Sequence, residues 1–164
     1  MNAKIKGGFG LLVIAFIVIG LIFSVVMFMD QIKIKTTIND YLDALKQSKY
    51  EEAFERIAYY DEYSDIPPKM DYESAKEIWT LRVERLKNEG IWLKDYHSIR
   101  VWKDDTYPMS EATIIVTEGK KDRIYNVSIH LAKFNGQWKI QSIFSMEQNQ
   151  FEKTVSGYVG SGSK

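Results

Sequence analysis

The sequence contains no cysteine, three prolines and two histidines. Without cysteine there is no disulfide framework, thiolate metal site, cysteine nucleophile or lipid-modified N-terminal cysteine. The histidines, His97 and His130, have no third ligand at metal-like spacing, so neither a metal nor another cofactor is expected. Net charge is missing as well, because lysine plus arginine and aspartate plus glutamate number 22 each. Lys4 and Lys6 are the only charged side chains before Asp30, which leaves 20 basic and 22 acidic side chains from residue 30 onward. A domain with that balance has no electrostatic footprint for nucleic acid, and no nucleic-acid partner is expected. Lys120-Lys121 is too short to form a basic patch.

What the sequence does have is one long apolar run, Phe9 to Met29, reading FGLLVIAFIVIGLIFSVVMFM. It carries no charge, and Ser24 is its only polar side chain. A helix of this length spans about 30 Å, the thickness of a bilayer's hydrocarbon core. A buried core helix is rarely apolar all round over such a length. A cleaved signal has a shorter apolar region, roughly 7–15 residues, followed by a small-x-small site. This run ends in Val-Val-Met-Phe-Met-Asp and has no such site. The expectation is an uncleaved single-pass anchor that sets Phe9, Leu12, Ile17, Leu21 and Phe28 in the lipid. Flanking charge nearly balances, with Lys4 and Lys6 on one side and Lys33 and Lys35 on the other. The short basic tail followed by an apolar run resembles a signal anchor. That arrangement places the N-terminus in the cytoplasm and the C-terminal domain outside, at a bacterial cell membrane.

The rest of the chain divides by composition and period. Residues 1–8 read as a basic tail, 9–29 as the span, 30–35 as a linker, 36–150 as one domain and 151–164 as a flexible tail. The glycines and serines of Gly157 to Lys164 motivate the last assignment. Ile38, Tyr41, Leu42 and Leu45 keep the spacing of one apolar helix face. Ser48 and Glu51 match a capping box that would open a second short helix, with Tyr50, Ala53, Phe54 and Ile57 as its stripe. A loop with Pro67-Pro68 follows. A third helix is expected after Asp71 as N-cap, with Ala75, Ile78, Trp79, Val83 and Leu86 inward and Gly90 as its stop. After Gly90 the period falls to two. Strands are expected near Tyr96–Lys103, Glu111–Glu118, Arg123–Phe134 and Trp138–Ser145, with Asn135-Gly136 as a hairpin turn between the last two. Helices followed by antiparallel strands make an α+β domain, with the helices on one face of a curved, four-stranded, cone-shaped sheet.

Two segments carry a resemblance. Tyr41-Leu-Asp-Ala-Leu-Lys-Gln-Ser-Lys-Tyr-Glu-Glu-Ala-Phe54 is similar to the opening helix pair of the nuclear-transport-factor-2-like superfamily, the cystatin-like α+β cone. Val127-Ser-Ile-His-Leu-Ala-Lys-Phe-Asn-Gly-Gln-Trp-Lys-Ile140 resembles its closing hairpin. With the element order, the resemblance covers about Thr36 to Ser145. It implies a cone between helices and sheet. It also implies a superfamily that holds isomerases, hydratases, scaffold proteins and membrane-tethered bacterial domains. Fold likeness alone does not choose among these.

The residues themselves supply little catalysis. An isomerase of this fold would need a shielded carboxylate facing a hydrogen-bond donor. Asp95, Asp104, Asp105, Glu111 and Glu118 sit at strand ends or loops, where solvation explains them. His130 falls on the polar face of its strand, and His97 at a strand start. Tyr59, Tyr60 and Tyr63 cluster before Pro67-Pro68 and are either a pocket mouth or partner contact, or local packing of the loop. Trp79, Trp92, Trp102 and Trp138 read as core or sheet packing. Asn126-Val-Ser128 matches a glycosylation sequon but lies inside a strand. The expected function is a non-enzymatic, membrane-anchored extracytoplasmic module that binds a ligand, a protein partner or a second copy of itself. Two alternatives stay open: a scaffold subunit of a conjugation or type IV secretion-like machine, and a tethered isomerase or hydrolase acting on a small apolar molecule.

Overall fold

The computed structural model describes residues 4–63, 67–104, 107–147 and 149–160, with the side chains of 4–15, 23, 26, 27, 103, 104 and 107 outside that description. The chain divides into two compact units, Met1–Lys33 and Ile34–Lys164.

The first unit is helical. Helix α1 spans Lys4–Lys46 and so continues past the unit boundary. Residues 30–35 contain neither glycine nor proline, so nothing breaks the helix where a linker was expected. Ile17, Leu21 and Phe28 of the expected anchor are 58%, 62% and 63% exposed. Phe9 and Leu12 lie outside the described side chains. Among the described residues, no helix is long and apolar enough to cross a membrane.

The second unit is α+β. The last turns of α1 bury Ile34, Ile38, Tyr41, Leu42 and Leu45 along one stripe. Helix α2 spans Tyr50–Phe54, and α3 spans Tyr72–Asn88. Strands β1 (Ile91–Asp104), β2 (Tyr107–Glu118), β3 (Lys121–Phe134) and β4 (Gln137–Phe144) form one antiparallel sheet in sequence order. Helix α4, Gln150–Val155, follows. In β3, buried Tyr125, Val127, Ile129 and Leu131 alternate with more accessible Asn126, Ser128, His130 and Ala132. The inward set joins the helices' apolar stripes in one core. Its centre is aromatic: the Phe54 and Trp79 rings lie 5.7 Å apart, both fully buried.

Several local expectations hold. Asp71 caps α3 by accepting from the Ser74 amide at 3.0 Å. Gly90, at φ +87°, ends that helix, and Asn135 and Gly136 both take positive φ, as a type I′ turn requires. Ile78 departs from the expected inward face and is exposed. The Ser48 capping box does not form. Ser48 sits at φ +59°, whereas an N-cap needs extended backbone. It instead closes α1: its amide reaches Leu45 O at 3.1 Å, and the next amide, Lys49, reaches Ala44 O at 2.8 Å, the paired bonds of a Schellman ending. The Ser48 hydroxyl accepts from Lys87 Nζ at 2.6 Å.

The largest correction concerns the expected flexible tail. Residues 151–160 are packed, with Phe151, Val155 and Val159 buried. Asn149 caps α4 by accepting from the Glu152 amide at 2.9 Å. Glu152 is 1% exposed, and its carboxylate accepts from the Ser145 amide at 2.7 Å and from Asn149 Nδ2 at 2.6 Å. Beyond the helix the chain is stitched to two neighbours. The Gly157 amide donates to Gln141 O at 3.0 Å, and the Tyr60 amide donates to Gly157 O at 2.9 Å. A Cβ at Gly157 would overlap the Ala58 carbonyl oxygen. The glycine that suggests fraying is thus the residue that permits close approach of two backbones. Residues 161–164 lie outside the described residues.

Candidate functional site

The face of the sheet that the helices cover is filled. Tyr41, Phe54 and Trp79 have no exposure, and neither do Ile114, Ile129 and Ile140 from the strands. Their polar atoms find partners within the packing. The Tyr41 hydroxyl donates to Val155 O, and Trp79 Nε1 donates to Ser156 O at 2.9 Å. The C-terminal segment supplies both acceptors, so it is tied to the centre of the core through its main chain. Burial pushes the Tyr41 phenol far above its ordinary pKa.

A concavity lined mainly by cations and hydroxyls lies elsewhere, between α3 and the C-terminal segment. It is a cleft of about 570 Å³. Arg82, Arg85 and Glu89 line it from α3, and Gln150, Lys153, Thr154, Ser156 and Tyr158 from α4 and beyond. Arg82 and Arg85 share a side of the helix by their i, i+3 spacing. The half-buried Arg82 has Trp79 one turn before it, already committed to the core. Its Nη2 lies 3.5 Å from Ser156 O, a long contact, and its buried Nε has no hydrogen-bond partner. Burial lowers its pKa, and the oxygens of Tyr41, Tyr158 and Tyr60 partly oppose that shift. A guanidinium stays charged through such a shift. Among the described residues, none of Arg82, Arg85 and Lys153 forms an ion pair, although seven other pairs form on the domain's surface. The only acid among the described residues that line the cleft, Glu89, accepts from Gln150 Nε2 at 3.3 Å.

The three expected contact tyrosines do not share one surface. Tyr59 packs against Phe54 and Tyr72, and its hydroxyl donates to Met70 O at 3.2 Å. Tyr60 stacks at 5.6 Å on Tyr158, and through Tyr158 it backs one wall of the cleft. Tyr63 is 66% exposed. Among the acids, Asp95 pairs with Lys46 at 2.8 Å, and that hydrogen bond holds its carboxyl below the usual range. Glu118 pairs with Arg123 and accepts from the Tyr125 hydroxyl, both at 2.7 Å. Glu111 is exposed. Asp105 and the Asp104 side chain lie outside the described residues. His130 is half-buried rather than fully solvated. Its ring meets Phe144 edge-on at 4.7 Å, and desolvation lowers its pKa. His97 is exposed, with Nδ1 2.8 Å from Ser98 Oγ. Among the described residues, no three His, Asp or Glu side chains group as a metal site would require.

Sequence reasoning missed the cleft because half of it lies in the segment read as a tail. A signal was present. Asn149 and Glu152 carry the N-cap and N3 pattern of a helix start, and Phe151, Val155 and Val159 recur every fourth residue.

No protein-family model matches the chain, and comparison with curated proteins gives no match. A solved structure from Catenulispora acidiphila is similar at TM-score 0.46 and 10% identity, covering 74% of this chain and 92% of that chain. A likeness this slight bears on neither fold nor function.

Proposed function

We propose that the protein is a single-pass, membrane-anchored binding module, non-enzymatic, whose domain works outside the cytoplasm and takes its ligand in the α3 cleft. The observation that carries this reading is the contrast between a filled helix-facing sheet and an open cleft with unpaired cations. A tethered isomerase would instead need room for substrate against the sheet, with a buried acid beside a tyrosine. The one fully buried acid among the described residues, Glu152, is committed to the start of α4.

The anchor belongs to the same proposal. Its support is the uncharged run from Phe9 to Met29 and the exposure of Phe16, Ile17, Leu21 and Phe28, apolar side chains that water would penalise. Membership of the nuclear-transport-factor-2-like superfamily is supported by the order of helices and strands. A pulldown from detergent extracts and a thermal-shift screen of the full chain test the binding role. A reproducible partner or a saturable shift is expected, and the absence of both contradicts it. A reporter fused at Lys164 tests the direction. Activity on the extracytoplasmic side is expected, and a cytoplasmic signal overturns that half.

A further inference from the structure

We propose that the cleft between α3 and the C-terminal segment is a receptor site for a dianionic oxyanion group, a phosphate or phosphate monoester, gripped by Arg82, Arg85 and Lys153. The inference rests on the binding-module reading and gives its ligand a chemical class.

Charge count is the first argument. Among the described residues, three cations and one acid line the cleft, leaving an excess of two positive charges that a dianion would balance. A monoanionic carboxylate would leave one charge uncompensated in a partly desolvated place. Donor geometry is the second. Arg82 Nε is buried without a partner, and Nη2 makes only the 3.5 Å contact to Ser156 O. A buried, unsatisfied N–H is costly unless something arrives to accept from it. Turned toward the cleft, the guanidinium can present Nε and Nη together to an oxyanion, the fork that it offers to phosphate. The third argument is what competes. Among the described residues Glu89 is the only carboxylate that lines the cleft, and it is engaged by Gln150 rather than by an arginine. Elsewhere on this domain cations find carboxylates readily, as Lys46 does with Asp95 and Arg123 with Glu118. The hydroxyls of Thr154 and Tyr158 border the same space and are further donors to phosphate oxygens, whereas the Ser156 hydroxyl donates to Lys153 O at 2.9 Å. The cleft's size, about 570 Å³, suits a small molecule carrying the group.

The test uses the full chain in a neutral maltoside detergent, titrated with inorganic phosphate at constant ionic strength and followed by calorimetry. Saturable binding is expected at pH 8, weakening toward pH 5 as the phosphate gains a proton. Arg82→Gln is expected to weaken binding by roughly tenfold or more, given the strength of charge-assisted hydrogen bonds. Lys153→Gln, at an exposed position, leaves the packed interior untouched, and it is expected to weaken binding less. Glycerol phosphate and phosphatidic acid doped into the micelles separate the two sources of such a group. Tighter binding of the first assigns a soluble ligand, and displacement of phosphate by the second assigns a lipid head group. Heat no different from matched chloride, or equal binding by wild type and both variants, overturns the proposal. If that occurs while a pulldown still captures a partner in wild type, the binding role stands and only the ligand class falls.

Discussion

Helix α3 and the segment 149–160 meet twice, and the two meetings are built to opposite rules. On the side toward the sheet, Trp79, Val83, Phe151 and Val155 are buried, and the polar groups of Tyr41, Trp79 and Glu152 have partners. Tyr41 and Trp79 donate to carbonyls, and Glu152 accepts from two N–H groups. Beside it, from one turn further along the same helix, Arg82 and Arg85 line a cleft where, among the described residues, no carboxylate pairs with them. Complete pairing is what a core requires, because each orphaned buried group costs stability. Incomplete pairing beside a cleft serves binding, because the missing partner can be a ligand.

Breaking the paired side has the largest expected effect. Trp79→Ala removes a fully buried ring and the donor to Ser156 O. Denaturant unfolding is expected to show a loss of about 3–5 kcal/mol. Glu152→Ala leaves the Ser145 amide and the Asn149 side chain without their acceptor. The expected loss is about 1–3 kcal/mol, with α4 loosening first in hydrogen exchange. On the cleft side, Arg82→Gln should change stability by no more than about 0.5 kcal/mol, or raise it slightly, while phosphate affinity falls. A large stability loss at Arg82 would mean that it is a structural residue and would erase the contrast.

The smallest expected effect is alkaline. Tyr96 and Tyr125 are each pushed up to about 12, first by burial and then by hydrogen bonds to Asp43 and Glu118. The unfolded chain ionises its tyrosines near 10. The folded state therefore holds protons that the unfolded state loses, and stability present below pH 10 declines as pH rises from 10 through 12. Ultraviolet titration of the full chain is expected to show Tyr96 and Tyr125 ionising late, with Tyr41 silent until unfolding.

Much of the fold is legible in the sequence because periodicity reports burial. The alternation of Tyr125, Val127, Ile129 and Leu131 places β3, and the stripe from Ala75 to Leu86 places α3. Composition misleads where a residue has a second use. Gly157 suggests a frayed end, yet it is required by the Ala58 carbonyl beside it. Ser48 has the right chemistry for an N-cap, but the preceding helix takes it first in a left-handed conformation. The cleft is the least legible part. Arg82 and Arg85 look like a solvated helix face, and Lys153 lies in the next-to-last stretch of chain. Only folding brings them to one space, and no local pattern encodes that, among the described residues, none of the three pairs with an acid.

The most direct test observes both sides of α3 in one experiment. Nitrogen-15 spectra of the full chain in maltoside micelles resolve the arginine Nε–H and tryptophan Nε1–H groups, before and after phosphate is added. The account predicts that the Arg82 Nε–H signal shifts saturably while the Trp79 Nε1–H signal stays fixed by Ser156 O. A fixed Arg82 signal, or a shift at Trp79 that shows ligand entering the packed interior, would contradict it.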